Sequence, residues 1–219
     1  MLVYIIVAVI AYLLGSISFS VIISKKMAGF DVREKGSGNA GTTNVLRSVG
    51  KKAAILTLIC DVLKGVLAVL VAYIAGNIVK EGVDRALLIQ IAGLLVVVGH
   101  TFPIFFGFKG GKGIATALGV LLITNWNIGL ICLVFALVLM ALTKMVSLGS
   151  ISAAILFPVL ILLMPHTAYL VDGNYVIYSI LMAVLVVFNH RANVKRLLNG
   201  TENKLDFKKI KWLPLQGEK

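Results

Sequence analysis

Carboxylates are scarce in this chain: nine Asp and Glu stand against 21 Lys and Arg in 219 residues. Charge as a whole is thin, at 14%, beside 59% apolar residues and a mean hydropathy of +1.00. An ordinary soluble domain carries about a quarter charged residues, so that class is excluded. Cysteine is limited to Cys60 and Cys132, both within apolar runs, which argues against a structural disulfide. The histidines, His100, His166 and His190, are scattered, so neither a metal site nor a cofactor is expected. No paired-carboxylate site and no Ser-His-Asp arrangement is visible. Repeats, low-complexity linkers and soluble domain boundaries are lacking too.

What is present is hydrocarbon. A spanning helix needs about 20 apolar residues, and Leu2–Ile23, Ala53–Val79 and Ala86–Phe106 meet that. Ile128–Thr143, Ile151–Pro165 and Tyr175–Phe188 are shorter but strongly apolar, while Ile114–Thr124 is too short to cross alone. Charge decides how to count that short piece. If it forms a hairpin with Ile128–Thr143 around Asn125-Trp126-Asn127, and Met1 lies outside, then 18 of the 21 basic residues fall inside. Fusing the two pieces would export the basic C-terminus, against the positive-inside rule. The expectation is an all-α integral membrane protein of about seven transmembrane segments, N-terminus outside and C-terminus cytoplasmic. The first segment reads as an uncleaved span, since it has no basic n-region. Residues 1–199 form one polytopic domain and 200–219 a basic tail. In that tail, Lys204–Trp212 reads equally as interfacial anchoring or as disorder. The net charge of +12 follows from topology and anionic headgroups, so no nucleic-acid partner is implied.

On this topology the polar motifs gather on the inside face. Gly36-Ser37-Gly38-Asn39-Ala40-Gly41-Thr42-Thr43-Asn44 and Gly107-Phe108-Lys109-Gly110-Gly111-Lys112-Gly113 are glycine-rich and basic. Glycine lets backbone N–H groups turn toward an anion, and lysine beside it adds charge. The first segment matches G-x-G-x-x-G, but no βαβ unit surrounds it. The second fails as a P-loop, because Phe106 replaces its first glycine and Gly113 follows Lys112. An anion held where a helix begins at Gly113-Ile114 survives as the expectation. Asp61 and Lys64 stand at i,i+3 within a span and read as an ion pair tying helices together. Ser147 and Ser150 read as ligands or as helix caps. His190 reads as a satisfied interfacial histidine at a helix end or, with Asn193 at i,i+3 on the same face, as a ligand-facing pair. The Asn199-Gly200-Thr201 sequon falls in the inside tail and reads as chance.

Together these residues resemble the bacterial acyl-phosphate:glycerol-3-phosphate acyltransferases, the PlsY family. The resemblance begins at Gly15-Ser16 and runs through Asp31-Val32-Arg33 and the GSGN-x-G-x-TN run to Arg47. It resumes at Gly99-His100-Thr101-Phe102-Pro103, FFGFKGGKGIAT and Ser147-Leu148-Gly149-Ser150-Ile151, and closes with His190-Arg191-x-Asn193 and Arg196-Leu197. Ser18 departs from it, since family members often carry proline there. The resemblance implies transfer of a fatty acyl group from acyl-phosphate to the 1-hydroxyl of glycerol-3-phosphate, in phospholipid biosynthesis. It implies a multi-pass protein of the cell inner (plasma) membrane, with its active site at the cytoplasmic face. Its partners would be the two substrates and membrane lipid, with room for a soluble acyl-phosphate-forming enzyme as supplier. The His-x-x-x-x-Asp motif of other glycerolipid acyltransferases is absent after all three histidines.

For that reaction the donor phosphate is assigned to Ser37, Gly38, Asn39, Thr43 and Asn44, with the Gly110, Gly111, Lys112 and Gly113 backbone. Arg47 and Lys112 hold the acceptor phosphate or bridge both, and Ser150, His190 and Asn193 complete the glycerol-3-phosphate pocket. Ser37, Asn39, Lys112 and His190 are the expected catalytic set. His190 is the one nearby side chain suited as a base, and family chemistry favours it as a binding residue instead. An apolar groove between spans should admit the acyl chain. An anion transporter and a lipid-phosphate phosphatase are the rival classes. The first would need basic groups deep in broken helices, and the second a nucleophile–base pair or a metal.

Overall fold

The computed structural model describes residues 1–79, 81–164 and 175–206. The expected outer loop His166–Asn174 and most of the basic tail lie outside the described residues. Within them the fold is helical: α1 (Leu2–Gly15), α2 (Phe19–Ala28), α3 (Thr42–Ser48), α4 (Lys51–Val79) and α5 (Arg85–Thr101) come first. They are followed by α6 (Ile114–Thr124), α7 (Trp126–Thr143), α8 (Val146–Leu163), α9 (Tyr175–Asn189) and α10 (Arg191–Leu198). Five stretches are long and apolar enough to cross a bilayer, and α9 with α10 makes a sixth, bent by 66°. The segment Leu2–Ala28 is one span interrupted between α1 and α2. Helix α6, at 11 residues, is the short piece, and it packs against α7 across Asn125, whose side chain accepts from the Ile128 N–H at 3.3 Å.

Helices pack here through small residues, because lipid offers no hydrophobic drive between spans and close backbone approach must supply contact. A Cβ on Gly15 would lie 2.2 Å from the Val96 carbonyl oxygen, and one on Gly99 2.2 Å from that of Tyr12, so α1 and α5 touch backbone to backbone. Gly65 and Gly119 do the same for α4 and α6, at 2.3 Å from the Thr116 and 2.1 Å from the Val62 carbonyl oxygen. The outward faces carry exposed Leu, Ile and Val, such as Leu63, Leu67, Val134, Leu137 and Leu162, as a lipid-facing surface requires. One apolar core lies among the spans, around Val96, Leu88 and Val120. A second lies under the first polar loop, where Val21, Val32, Val45 and Ala53 are buried. That loop is therefore a folded layer and not a linker.

Candidate active site

Two glycine segments meet at one end of the bundle, held by a specific clamp. Arg33 donates from Nε and Nη2 to the Asp31 carboxylate at 3.0 and 2.8 Å, and from Nη1 to the Phe106 and Lys109 carbonyls at 2.6 and 3.2 Å. These hydrogen bonds outweigh burial and hold the Asp31 carboxyl at about 2. The Ala40 N–H and the Asn39 amide both donate to the Gly110 carbonyl at 3.4 Å. Within the first segment, Asn44 is the organiser. Its Oδ1 accepts from the Ser37 N–H at 2.9 Å, and its Nδ2 donates to the Val32, Lys35 and Asn39 carbonyls. An amide so engaged shapes the loop that carries Ser37.

Beneath the clamp lies a cavity of about 400 Å³, lined at its mouth by Ser37, Asn39, Thr43, Asn44, Arg47 and Lys112. Ser150 reaches it from α8, and His190 and Asn193 from the α9–α10 bend. Nine of the expected site residues thus converge from four separate stretches of chain. Four do not line it. Gly38 borders a separate depression beside Asp31 and Arg33. The Gly110 and Gly111 N–H groups donate to the Thr101 and His100 carbonyls at 3.1 Å each, so they fasten the loop to the end of α5. A Cβ on Gly111 would meet His100 Nε2 at 2.1 Å, which explains why glycine stands there. Gly113 has a φ of +86° and caps α6, whose first residues, Ile114 and Ala115, do line the cavity.

His190 is 3% exposed, and its Nδ1 lies 2.8 Å from the Val186 carbonyl. A carbonyl can only accept, so Nδ1 carries the proton and Nε2 is left as the acceptor of the neutral ring. Asn189 donates to Thr101 Oγ1 at 3.1 Å and fixes the bend against α5. Lys112 donates to Asn193 Oδ1. Burial pushes the Lys112 ammonium down to about 8; repulsion from Arg196 and Arg47 acts with it and Glu202 against it.

Several lining residues had no place in the assigned site: Thr42, Asp61, His100, Arg196, Glu202 and Asn203. Ser147, read as ligand or cap, lines it too. The Thr42 and Ser147 hydroxyls are buried and have no hydrogen-bond partner among the described residues. A buried hydroxyl without a partner costs about 1–3 kcal/mol, which fits groups that wait for a polar ligand. Downward the walls become apolar, with Cys132, Ala153, Phe157, Tyr178 and Met182 between α6, α7, α8 and α9.

A cation-rich mouth above an apolar groove, inside a helical membrane bundle, defines an integral membrane protein whose cavity has the chemistry to suit an amphiphilic, anionic molecule. Residues 5–200 match the family model for glycerol-3-phosphate acyltransferase. A glycerol-3-phosphate acyltransferase of Clostridioides difficile (strain 630) is 48% identical over 94% of this chain and 97% of its own. One of Thermoanaerobacter sp. (strain X514) is 45% identical over 90% and 93%. Crystal structures of PlsY (YgiH), an integral membrane glycerol 3-phosphate acyltransferase, superpose well. The glycerol 3-phosphate form gives a TM-score of 0.81 at 37% identity over 93% of this chain and 96% of that one. The lysophosphatidic acid form gives 0.79 at 35%, over 94% and 97%. The chain belongs to the glycerol-3-phosphate acyltransferase family, and to its PlsY branch.

Proposed function

We propose that this protein transfers a fatty acyl group from acyl-phosphate to the 1-hydroxyl of glycerol-3-phosphate, at the cytoplasmic face of the plasma membrane. The products are 1-acyl-glycerol-3-phosphate and inorganic phosphate. The observation that carries this reading is the continuity of one cavity from Arg47 and Lys112, through Ser150, His190 and Asn193, into the apolar groove. Two phosphates need cations at the mouth, and an acyl chain needs hydrocarbon below.

Acyl-phosphate is already activated, so the protein must align two substrates and stabilise developing charge. Ser37, Asn39 and Thr43 hold the donor phosphate, with the first turn of α6 beside them. Arg47 and Lys112 hold the acceptor phosphate. The glycerol 2-hydroxyl donates to His190 Nε2, which turns the 1-hydroxyl so that its oxygen faces the acyl carbonyl carbon and its proton the donor phosphate. Attack forms a C–O bond and a tetrahedral oxyanion, which Lys112 faces. Collapse breaks the bond to the phosphate oxygen, and the hydroxyl proton leaves on that phosphate. His190 is a binding group on this path. Supply of acyl-phosphate by a soluble enzyme fits a site that opens at the cytoplasmic face.

The test is phosphate release from palmitoyl-phosphate by purified protein, with and without glycerol-3-phosphate, beside palmitoyl-CoA as donor. Acceptor-dependent release, not replaced by the thioester and lost in Ser37→Ala and Lys112→Ala, is the expected result. Release without acceptor would make it a phosphatase. No release, with uptake of glycerol-3-phosphate into liposomes, would make it a transporter.

A further inference from the structure

The chain does not leave the site at Asn199. Gly200, at φ +67°, turns it back, with the Thr201 N–H donating to the Arg196 carbonyl at 2.8 Å. Residues 201–205 then cross the cavity mouth to the turn between α7 and α8. There the Leu205 N–H donates to the Lys144 carbonyl at 2.7 Å, and the Leu205 side chain is buried. On the way, the Asn203 carbonyl accepts from Arg47 Nη2 at 3.3 Å. This strap carries one carboxylate into a pocket of cations. The Glu202 side chain is 4% exposed. Its Oε1 accepts from Asn193 Nδ2 at 3.0 Å, and its Oε2 from Arg196 Nε at 3.0 Å.

An asparagine amide presents either an acceptor or two donors, and its neighbours decide which way it faces. Glu202, an acceptor only, takes Nδ2. That turns Oδ1 to Lys112, which donates to it. Reversed, the amide would set two donors against an ammonium. The same carboxylate pairs Arg196, which would otherwise compete with Arg47 and Lys112 for a phosphate. Glu202 thereby sets both the direction of one ligand and the number of free cations.

Resting on the proposed glycerol-3-phosphate pocket, we infer that Glu202 is a positioning residue of that pocket. It acts through Asn193 and Arg196 on the acceptor substrate, and the strap 201–205 is what carries it to them.

The test compares wild type, Glu202→Gln, Asn193→Ala, the double variant, and Lys204→Ala on the exposed side of the strap. Each is measured for binding of radiolabelled glycerol-3-phosphate, for both KM values and kcat, and for thermal unfolding. Glutamine keeps the size and one acceptor but removes the charge. Losing a charge-assisted pair should weaken glycerol-3-phosphate binding about tenfold, in Kd and in KM. The acyl-phosphate KM and the unfolding midpoint should stay, and the double variant should lose less than the sum of the two single losses, since part of each runs through the shared Glu202–Asn193 bond. Lys204→Ala should behave as wild type. Tighter glycerol-3-phosphate binding by Glu202→Gln would overturn the inference and make the carboxylate a competitor of substrate. Equal losses for both substrates with a lower unfolding midpoint would overturn it in favour of a purely structural strap. Unchanged binding would overturn it outright. Wild type that binds glycerol-3-phosphate without acylating it would sink the proposed reaction, while the Kd comparison still decides on Glu202. Wild type that does not bind it would sink both.

Discussion

Lys64 Nζ lies 3.0 Å from the Asp61 carboxylate one turn earlier in α4, and both side chains are buried inside a span. The same ammonium donates to the Gly15 carbonyl at 3.0 Å and the Ile17 carbonyl at 2.9 Å, where α1 breaks before α2. A broken helix in a membrane leaves carbonyls that water cannot reach, and a lysine from the neighbouring span supplies the missing donors. The pair reads in the sequence from its i,i+3 spacing; its purpose, covering the break, does not.

Lys64→Met should therefore destabilise the fold by about 3–5 kcal/mol, because it uncovers two carbonyls and leaves a buried carboxylate without its ammonium, facing His100 Nδ1 at 3.5 Å. Combining it with Asp61→Leu should recover part of the loss, since the carbonyls remain uncovered. Denaturation midpoints in detergent would check this; a double variant no better than the single would contradict it.

The Lys112 ammonium at about 8 sets a pH dependence. Its charged form binds phosphate, and that form is lost as pH rises through this value. The substrate phosphate, with a second pKa of about 6, is already a dianion there. The KM for glycerol-3-phosphate should rise about tenfold per pH unit above this point, while Lys112→Arg should remove the rise. A flat profile in the wild type would argue that another group holds the phosphate.

Gly99→Ala should separate α1 from α5, because its Cβ would sit 2.2 Å from a backbone carbonyl that cannot rotate away. A loss of about 1–3 kcal/mol is expected from overpacking, with reduced activity as the Gly110–Gly111 loop shifts with the end of α5. A thermal scan beside an activity assay reads both. Wild-type stability in this variant would mean the helices can slide apart freely.

Ala153 lines the apolar part of the cavity on α8. Ala153→Phe should fill the groove and lower kcat/KM for palmitoyl-phosphate several-fold more than for decanoyl-phosphate. Equal losses for both donors would place the acyl chain elsewhere.

What the sequence determined by itself is whatever depends on local chemistry. Seven apolar segments, the hairpin at Asn125 and the Asp61–Lys64 pair follow from hydropathy and spacing, which act residue by residue. Nine of the thirteen expected site residues, all with polar side chains, line one cavity, while the four glycines do not, because a glycine acts only through where its backbone is turned. Tertiary structure decided which partner each polar group takes. Gly110 and Gly111 hold carbonyls of α5, Asn44 braces its own loop, and Glu202 arrives from a segment whose composition reads as tail. These partners stand close in the chain, yet which of them pair depends on turns, such as the one at Gly200, that set only when the loops fold against the packed spans.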